Sequence, residues 1–433
     1  MRRKVFLSAV GTGNYLNCNY YYQEQKVDDV QYIQSAIYKI FCKDFKKTDK
    51  VIFAFTDSAK TKHEDSLKTE FNNICHTNFS SISIPNGESE DELWNIFKLF
   101  NECIEYQDEV ILDVTHSFRS LPIVFIMLLQ YLKTTKEISI SGLYYGAFEK
   151  LGKLVDVQNM HIENRNAPIF DLTPFISLHD WSQAVNNFSK FGKVDLLQKL
   201  SKQKINPILK NSQGSNQVAK SIDSIIKQLK TFSDYVITCR GKEIYDMNLK
   251  TDIYNVICNL QQNMLPQLEP VLDNLKTNFK DSHDKEVLNG LFAVKWCIQH
   301  NLIQQGYTLL QETIISIVEQ NIQLPQELTK TEQNTRNRRM FVSSFLNCYE
   351  IPENEWQFEL KRFEQTALKY RCPQYKQLAE IYRSLSEKRN DINHAGFVDN
   401  SSTFDKLENK LKEFYQQTSD ILNLPNDLPS NQK

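Results

Sequence analysis

Arg389, Asn390 and His394 close a stretch, Tyr375–Phe397, that reads as one helix with Leu378, Ile381, Leu385 and Ile392 along its apolar stripe and Gly396 ending it. Asn390 and His394 are spaced i, i+4 and so share a helix face, with Arg389 flanking them beside the stripe. A desolvated guanidinium needs an anionic partner or a function. These are the residue types that RNA cleavage without a metal requires. The guanidinium holds and neutralises a scissile phosphate, and an imidazole near its working pH moves a proton to or from the 2′-hydroxyl or the leaving oxygen.

A second constellation lies far upstream in three polar loops. They are Gly11-Thr12-Gly13-Asn14-Tyr15, Thr56-Asp57-Ser58-Ala59-Lys60 and Asp113-Val114-Thr115-His116-Ser117-Phe118-Arg119-Ser120. Glycines let backbone N–H groups approach a phosphate or sugar closely. Thr115, Ser117 and Arg119 stand just before a helix N-terminus, whose partial positive charge favours an anion. Tyr144 and Gly146 face the same crevice from the end of a further strand. Aromatic, hydroxyl and Arg groups together suit a nucleotide. The glycine loop lacks the third Gly of a dinucleotide fingerprint, and no Gly-Lys-Ser/Thr phosphate loop occurs, which disfavours a nicotinamide oxidoreductase. Taken singly, each feature has a plainer reading: a tight turn, a structural histidine, a salt-bridge arginine, a solvated helix end.

The elements that must carry these loops alternate. Strands are expected at Lys4–Val10, Val51–Thr56, Ser81–Ile84, Glu109–Asp113 and Glu137–Tyr145. Helices fall between them at Val30–Phe41, Glu64–Cys75, Glu90–Ile104 and Leu121–Thr134. Ser89 and Glu92 form a capping box, and Pro122 sits in a first turn. This alternation predicts a mostly parallel, Rossmann-like sheet with helices on both faces, and all three loops then emerge at its carboxyl edge, where open α/β sheets bind ligands. After Pro174 long helical periodicities dominate, with breaks expected at Pro207, Pro266, Pro325, Pro352 and Pro373. The fold class is therefore α/β plus all-α, with the junction at 162–174, a surface loop at Asn211–Asn216 and a disordered tail at Asn423–Lys433.

The 433 residues include only 12 Gly, where about 7% usage would give roughly 30, so each glycine is informative. A net charge of −2 confines any nucleic-acid contact to a local patch. Arg336, Arg338 and Arg339 are candidates for guiding RNA, or else a solvated face. The longest apolar stretch, Leu121–Leu132, is far short of a bilayer span of roughly 20 residues, and the first apolar run, Val5–Val10, reads as a buried strand rather than a leader. Nine scattered Cys without a C-x-x-C pair argue against disulfides and zinc, and a reducing cytoplasm fits.

The glycine loop, the run from Asp113 to Pro122 and Arg389-Asn390-x-x-x-His394 resemble the CRISPR-associated ancillary ribonucleases of type III systems, built from an amino-terminal CARF sensor and a carboxy-terminal HEPN domain. The stretch from Gln304 to Glu312 resembles a family helix packing near the HEPN active site. The resemblance implies a CARF domain at 1–165, a helical linker at 166–280 and a HEPN domain at 281–433. It implies that a cyclic oligoadenylate, with cyclic tetra-adenylate as the expected ring, binds Gly11, Thr12, Gly13, Asn14, Tyr15, Thr115, His116, Ser117, Phe118, Arg119, Tyr144 and Gly146, joined by Asp57 and Ser58 from position. Arg389 then binds phosphate, Asn390 orients it and His394 transfers a proton, in a metal-free site shared across a homodimer that cleaves single-stranded RNA. Slow cleavage of the activator, as in some relatives, is a further expectation. A non-catalytic nucleotide-sensing dimer or interaction protein is the alternative.

Overall fold

A computed structural model describes residues 2–75, 77–116, 121–260, 265–328, 335–356 and 358–422. The chain divides into two compact units, Met1–His179 and Asp180–Lys433.

The first unit is an eight-stranded sheet. In chain order its elements are β1 (Lys4–Val10), β2 (Cys18–Tyr22), β3 (Gln25–Val30), α1 (Ile33–Phe41), β4 (Lys50–Phe55), α2 (Asp57–Asn72), β5 (Asn78–Ser83), α3 (Glu90–Cys103), β6 (Glu109–Asp113), α4 (Leu121–Thr135), β7 (Ser139–Gly146), α5 (Leu154–Gln158) and β8 (Asn166–Asp171). The order across the sheet is β3-β2-β8-β7-β6-β1-β4-β5. From β7 to β5 every pairing is parallel, whereas β8 runs antiparallel to β7 and β3 antiparallel to β2. The chain leaves β1 on one side for β4 and β5, then returns on the other for β6, so strand order reverses at β1.

Alternation along the central strands builds two cores. Phe6, Val10, Val51, Phe53 and Phe55 pack with α1 and α2, while Val5, Leu7, Ala9, Ile52 and Ala54 pack with α3 and α4. Half of the expected capping box forms at α3: Ser89 Oγ accepts from the Glu92 amide at 3.2 Å, while the Glu92 carboxylate accepts from the Gly87 and Glu88 amides just ahead of the cap.

Three strands were not expected. β2 and β3 are a short polar hairpin at the sheet edge, Cys-Asn-Tyr-Tyr-Tyr against Gln-Lys-Val-Asp-Asp-Val, whose charges protect an edge but blur the strand pattern. β8 falls in the segment read as the domain junction; despite Pro168 it pairs with β2 and β7, so the first unit runs past 165. α2 begins at Asp57 and not Glu64, so the expected second loop is the first helical turn, capped by Thr56.

The second unit is helical. α6 (Thr173–Phe191) spans the division, followed by α7 (Asp195–Asn211), α8 (Gln217–Ile237), α9 (Gly241–Tyr245), α10 (Val256–Cys258), α11 (Glu269–Asn278), α12 (Asn289–Gln299), α13 (Ile303–Asn321), α14 (Thr335–Asn347), α15 (Phe358–Arg362), α16 (Glu364–Tyr370), α17 (Pro373–Asn393) and α18 (Phe404–Ile421). One continuous core runs from Trp181 to Tyr415, so the expected linker and carboxy-terminal domain pack as a single unit. Pro207 lies inside α7 and does not end it, whereas Pro373 opens α17. The 211–216 segment links α7 to α8, and the tail Asn423–Lys433 lies outside the described residues.

Candidate functional site

The carboxyl ends of β1 and β6 lie side by side at the point of strand reversal, with Ser8 paired to Asp113 in register. Buried Asp113 organises the β6 end. Its carboxylate accepts from the Thr115 amide at 2.9 Å, the Thr115 hydroxyl at 2.5 Å and the Ser8 hydroxyl at 2.7 Å, and burial pushes its pKa upward against those bonds. The Thr115 hydroxyl in turn accepts from the Gly146 amide at 2.8 Å. Thr115 therefore ties β6 to β7 and has spent its donor internally.

The glycine loop is closed on itself by Tyr15, whose hydroxyl accepts from the Gly11 amide at 2.9 Å and donates to the Gly11 carbonyl at 3.0 Å. The Tyr15 ring sits between two imidazoles, His116 at 4.4 Å and His63 at 4.6 Å between centroids. Burial, with His63 adding to it, pulls the His116 pKa down to about 4; burial also lowers that of His63, against the bond it makes to the Gly13 carbonyl. Burial raises the Tyr15 phenol. At neutral pH this aromatic floor is uncharged.

Above it lies a cleft of about 230 Å³ lined by Gly11, Thr12, Gly13, Tyr15, Thr115 and His116, together with Thr56, Ile84 and Leu121. Gly11 has reason to be glycine, since a Cβ there meets Tyr15 Oη at 3.3 Å; a Cβ at Gly13 meets nothing within 4 Å. Asn14 is exposed at the rim. Asp57 and Ser58 are exposed on the first turn of α2 and do not line the cleft. Nor does Tyr144, which is buried and stacks on Phe41 at 3.7 Å, or Gly146, where a Cβ would come within 2.5 Å of Ile33. Both are needed for packing beneath β7. Ser117, Phe118 and Arg119 lie outside the described residues.

Lys62 and His63 were not foreseen. Ala59, His63, Leu67 and Phe71 form a buried i, i+4 stripe that a helix begun at Thr56 would have revealed. His63 Nε2 lies 2.8 Å from the Gly13 carbonyl, which can only accept, so Nε2 carries the proton. Lys62 donates to the Thr12 carbonyl at 3.0 Å and to Asn14 Oδ1 at 2.7 Å.

In the helical unit, α17 ends at Asn393 and His394 is its C-cap. Gly396 N–H donates to the Asp391 carbonyl at 3.0 Å and Ala395 N–H to the Ile392 carbonyl at 3.1 Å. The left-handed turn thus starts on Ala395 (φ 54°), one residue before the glycine expected to end the helix. Buried Asp391 accepts from the Ser402 amide at 2.7 Å and Lys388 donates to the Ser402 hydroxyl at 2.9 Å, fixing the return of the chain. Arg389 is half-buried. With the Asn393 amide oxygen turned toward it, its Nε and Nη1 donate at 2.8 and 3.3 Å. Asn390 and His394 are exposed.

α13 packs on α17, and Gln311 donates to Ser386 Oγ at 2.9 Å and Tyr382 Oη at 3.3 Å. Gly306 lets α13 approach α18 closely: a Cβ there would meet Leu411 at 2.6 Å. A polar cleft of about 1390 Å³ opens beside α13 and α14, with Cys239, Arg240 and Lys242 on its wall. Arg338 pairs with Glu319 at 2.8 Å and Arg339 with Glu312 at 2.5 Å, so these two arginines are neutralised; Arg336 is exposed. Among the described residues no group of three or more His, Cys, Asp or Glu side chains could hold a metal, and no helix is long and apolar enough to cross a membrane.

Residues 5–149 match the family model described as "CRISPR system endoribonuclease Csx1, CARF domain". The amino-terminal unit is a CARF domain. The chain is also 26% identical over 234 residues to "CRISPR-associated protein MJ1674" of Methanocaldococcus jannaschii; the match covers 53% of this chain and 32%, about a third, of that relative's length. The solved structure of Enterococcus italicus Csm6 bound to cyclic hexa-2′-fluoro-hexa-dAMP aligns with 99% of this chain and 96% of its own, at 13% identity and a TM-score of 0.43. A helical unit follows the CARF domain in the chain.

Proposed function

We propose that the CARF cleft binds a cyclic oligoadenylate, with cyclic tetra-adenylate as the expected ring, and that binding switches on a metal-independent endoribonuclease in the helical, HEPN-type unit. The observation that carries the sensor reading is the pair of uncharged rings, Tyr15 and His116, that line the cleft with Gly13, a position with open space around it, and are backed by buried His63, at the switch point of a CARF sheet. Neutral aromatic rings suit adenine faces and the loop amides suit phosphodiesters.

In the effector reading the RNA 2′-oxygen attacks the adjacent phosphorus while the P–O5′ bond breaks. One proton leaves the 2′-hydroxyl and one reaches O5′, giving a 2′,3′-cyclic phosphate and a 5′-hydroxyl with no further reactant. Arg389 holds the phosphate, Asn390 orients it and His394 moves one of the protons. A second copy supplies the complementary groups. Exposed apolar side chains, Phe397 at 92% three residues past His394 and Phe404 at 57% at the start of α18, support a shared site, as do Ile123, Met127 and Tyr131 on the outer face of α4 for the sensor. The protein then acts as a cytoplasmic homodimer in antiviral defence.

Purified protein mixed with single-stranded RNA and cyclic tetra- or hexa-adenylate tests this directly; no cleavage with either ring overturns the effector reading. The Arg389–Asn393 bond is also what a purely structural arginine would make, which favours the non-catalytic alternative. Arg389→Ala and His394→Ala separate the two, because wild-type cleavage by either variant removes these residues from the mechanism.

A further inference from the structure

Lys62 sits exposed at the rim of the cleft with an ammonium held by two neutral oxygens, the Thr12 carbonyl at 3.0 Å and Asn14 Oδ1 at 2.7 Å. Among the described residues no carboxylate forms an ion pair with it, whereas its helix neighbour Lys68 pairs with Glu64 at 2.9 Å. Next to it, His63 anchors the Gly13 carbonyl at 2.8 Å and is itself buried between Tyr15 and Tyr32. Consecutive residues of one helix thus grip three consecutive residues of the glycine loop, one through a buried, immobile ring and one through a long exposed stem.

We propose that Lys62 is a latch on this loop. In the free protein it holds residues 12–14 in place; when a phosphodiester enters the cleft, the ammonium exchanges its two neutral acceptors for the anion, and the loop, still pinned at Gly13 by His63, closes over the ligand. Both oxygens that the ammonium gives up are neutral, whereas the phosphate adds the Coulomb attraction of an opposite charge, so the exchange runs downhill once the phosphate is within the lysine's reach. The latch rests on the sensor reading above and assigns Asn14 a role opposite to the one expected of it: an internal acceptor that competes with the ligand for Lys62.

Calorimetric titration of the full chain with cyclic tetra- and hexa-adenylate, at two salt concentrations, tests it. Lys62→Met weakens binding at least tenfold and flattens the salt dependence, Lys62→Arg stays within threefold of wild type, and Lys68→Met, a charge-matched control, leaves binding unchanged. Asn14→Ala tightens binding two- to fivefold, and adding it to Lys62→Met has no further effect. Weaker binding by Asn14→Ala, or Lys62→Met within twofold of wild type, overturns the latch while leaving the sensor standing. Failure of the wild type to bind either ring overturns the sensor reading and the latch with it.

Discussion

Gly13→Ala separates a loop that binds from one that merely turns. A Cβ built at Gly13 finds no heavy atom within 4 Å, and the residue is not among those with positive φ, so neither packing nor backbone strain opposes a methyl group. The fold should therefore tolerate it, or gain about 0.4–1 kcal/mol from the stiffer unfolded chain. A ligand phosphate drawn to the loop amides meets that methyl directly. Forcing a methyl into a filled site costs about 1–3 kcal/mol, roughly 5- to 150-fold in Kd. Gly146→Ala is the mirror case: its Cβ falls 2.5 Å from two atoms of Ile33, so the loss of about 1–3 kcal/mol appears in the thermal melt. Melting without ligand and titration with cyclic tetra-adenylate read the two effects apart. Wild-type affinity in Gly13→Ala, or a melt several degrees lower, refutes the reasoning.

Ala395→Gly relieves a left-handed alanine at the end of α17 and should raise stability by about 0.5–1 kcal/mol, seen as a melting point higher by a few degrees; a lower one shows the φ of 54° is not what the chain adopts. His300 is buried beside Trp296, and burial pulls its pKa from 6.5 down to about 4 against the opposing pull of the Lys190 and Ser189 carbonyls. Its neutral form is favoured in the fold, so stability is fully present above pH 6.5 and lost as pH falls toward 4, by about 2 kcal/mol at pH 5. Denaturant melts from pH 7 to 4 should show a shallower decline for His300→Leu than for wild type, and parallel curves sink the assignment. Gln311→Ala removes the bridge from α13 to Ser386 and Tyr382 and should lower stability by about 1 kcal/mol; an unchanged urea midpoint contradicts that.

The amino-terminal sheet was legible because its central strands are buried on both faces. Continuous β-branched and aromatic runs such as Val-Ile-Phe-Ala-Phe in β4 have no other home, and β1 and β6 agree with expectation to the residue. What was hidden is what faces water. The β2–β3 hairpin carries edge charges, and β8 carries a proline, which reads against a strand flanked on both sides. The site shows the same division. Gly11, Gly13, Tyr15 and His116 sit in loops whose polar residues interrupt an apolar pattern, so they announced themselves. Lys62 and His63 are ordinary letters in an amphipathic helix, and only the distance from α2 to the loop gives them a role.

Tyr144, Gly146 and Thr115 show how a correct element can still mislead about a side chain. All three stand at strand ends on the right edge, yet Tyr144 lies on Phe41, Gly146 makes room for Ile33, and the Thr115 hydroxyl bridges Asp113 and Gly146. They build the wall that holds the cleft open. Thr115→Val tests this distinction. It removes the bridge and strands the Gly146 amide and one Asp113 contact in a buried setting, at a cost of about 1–3 kcal/mol. A residue that serves the wall lowers the melting temperature together with affinity, and ligand at saturating concentration restores part of the stability. A residue that touches ligand lowers affinity and leaves the melt alone. The second outcome returns Thr115 to the binding surface and would require its hydroxyl to leave Asp113 when ligand arrives.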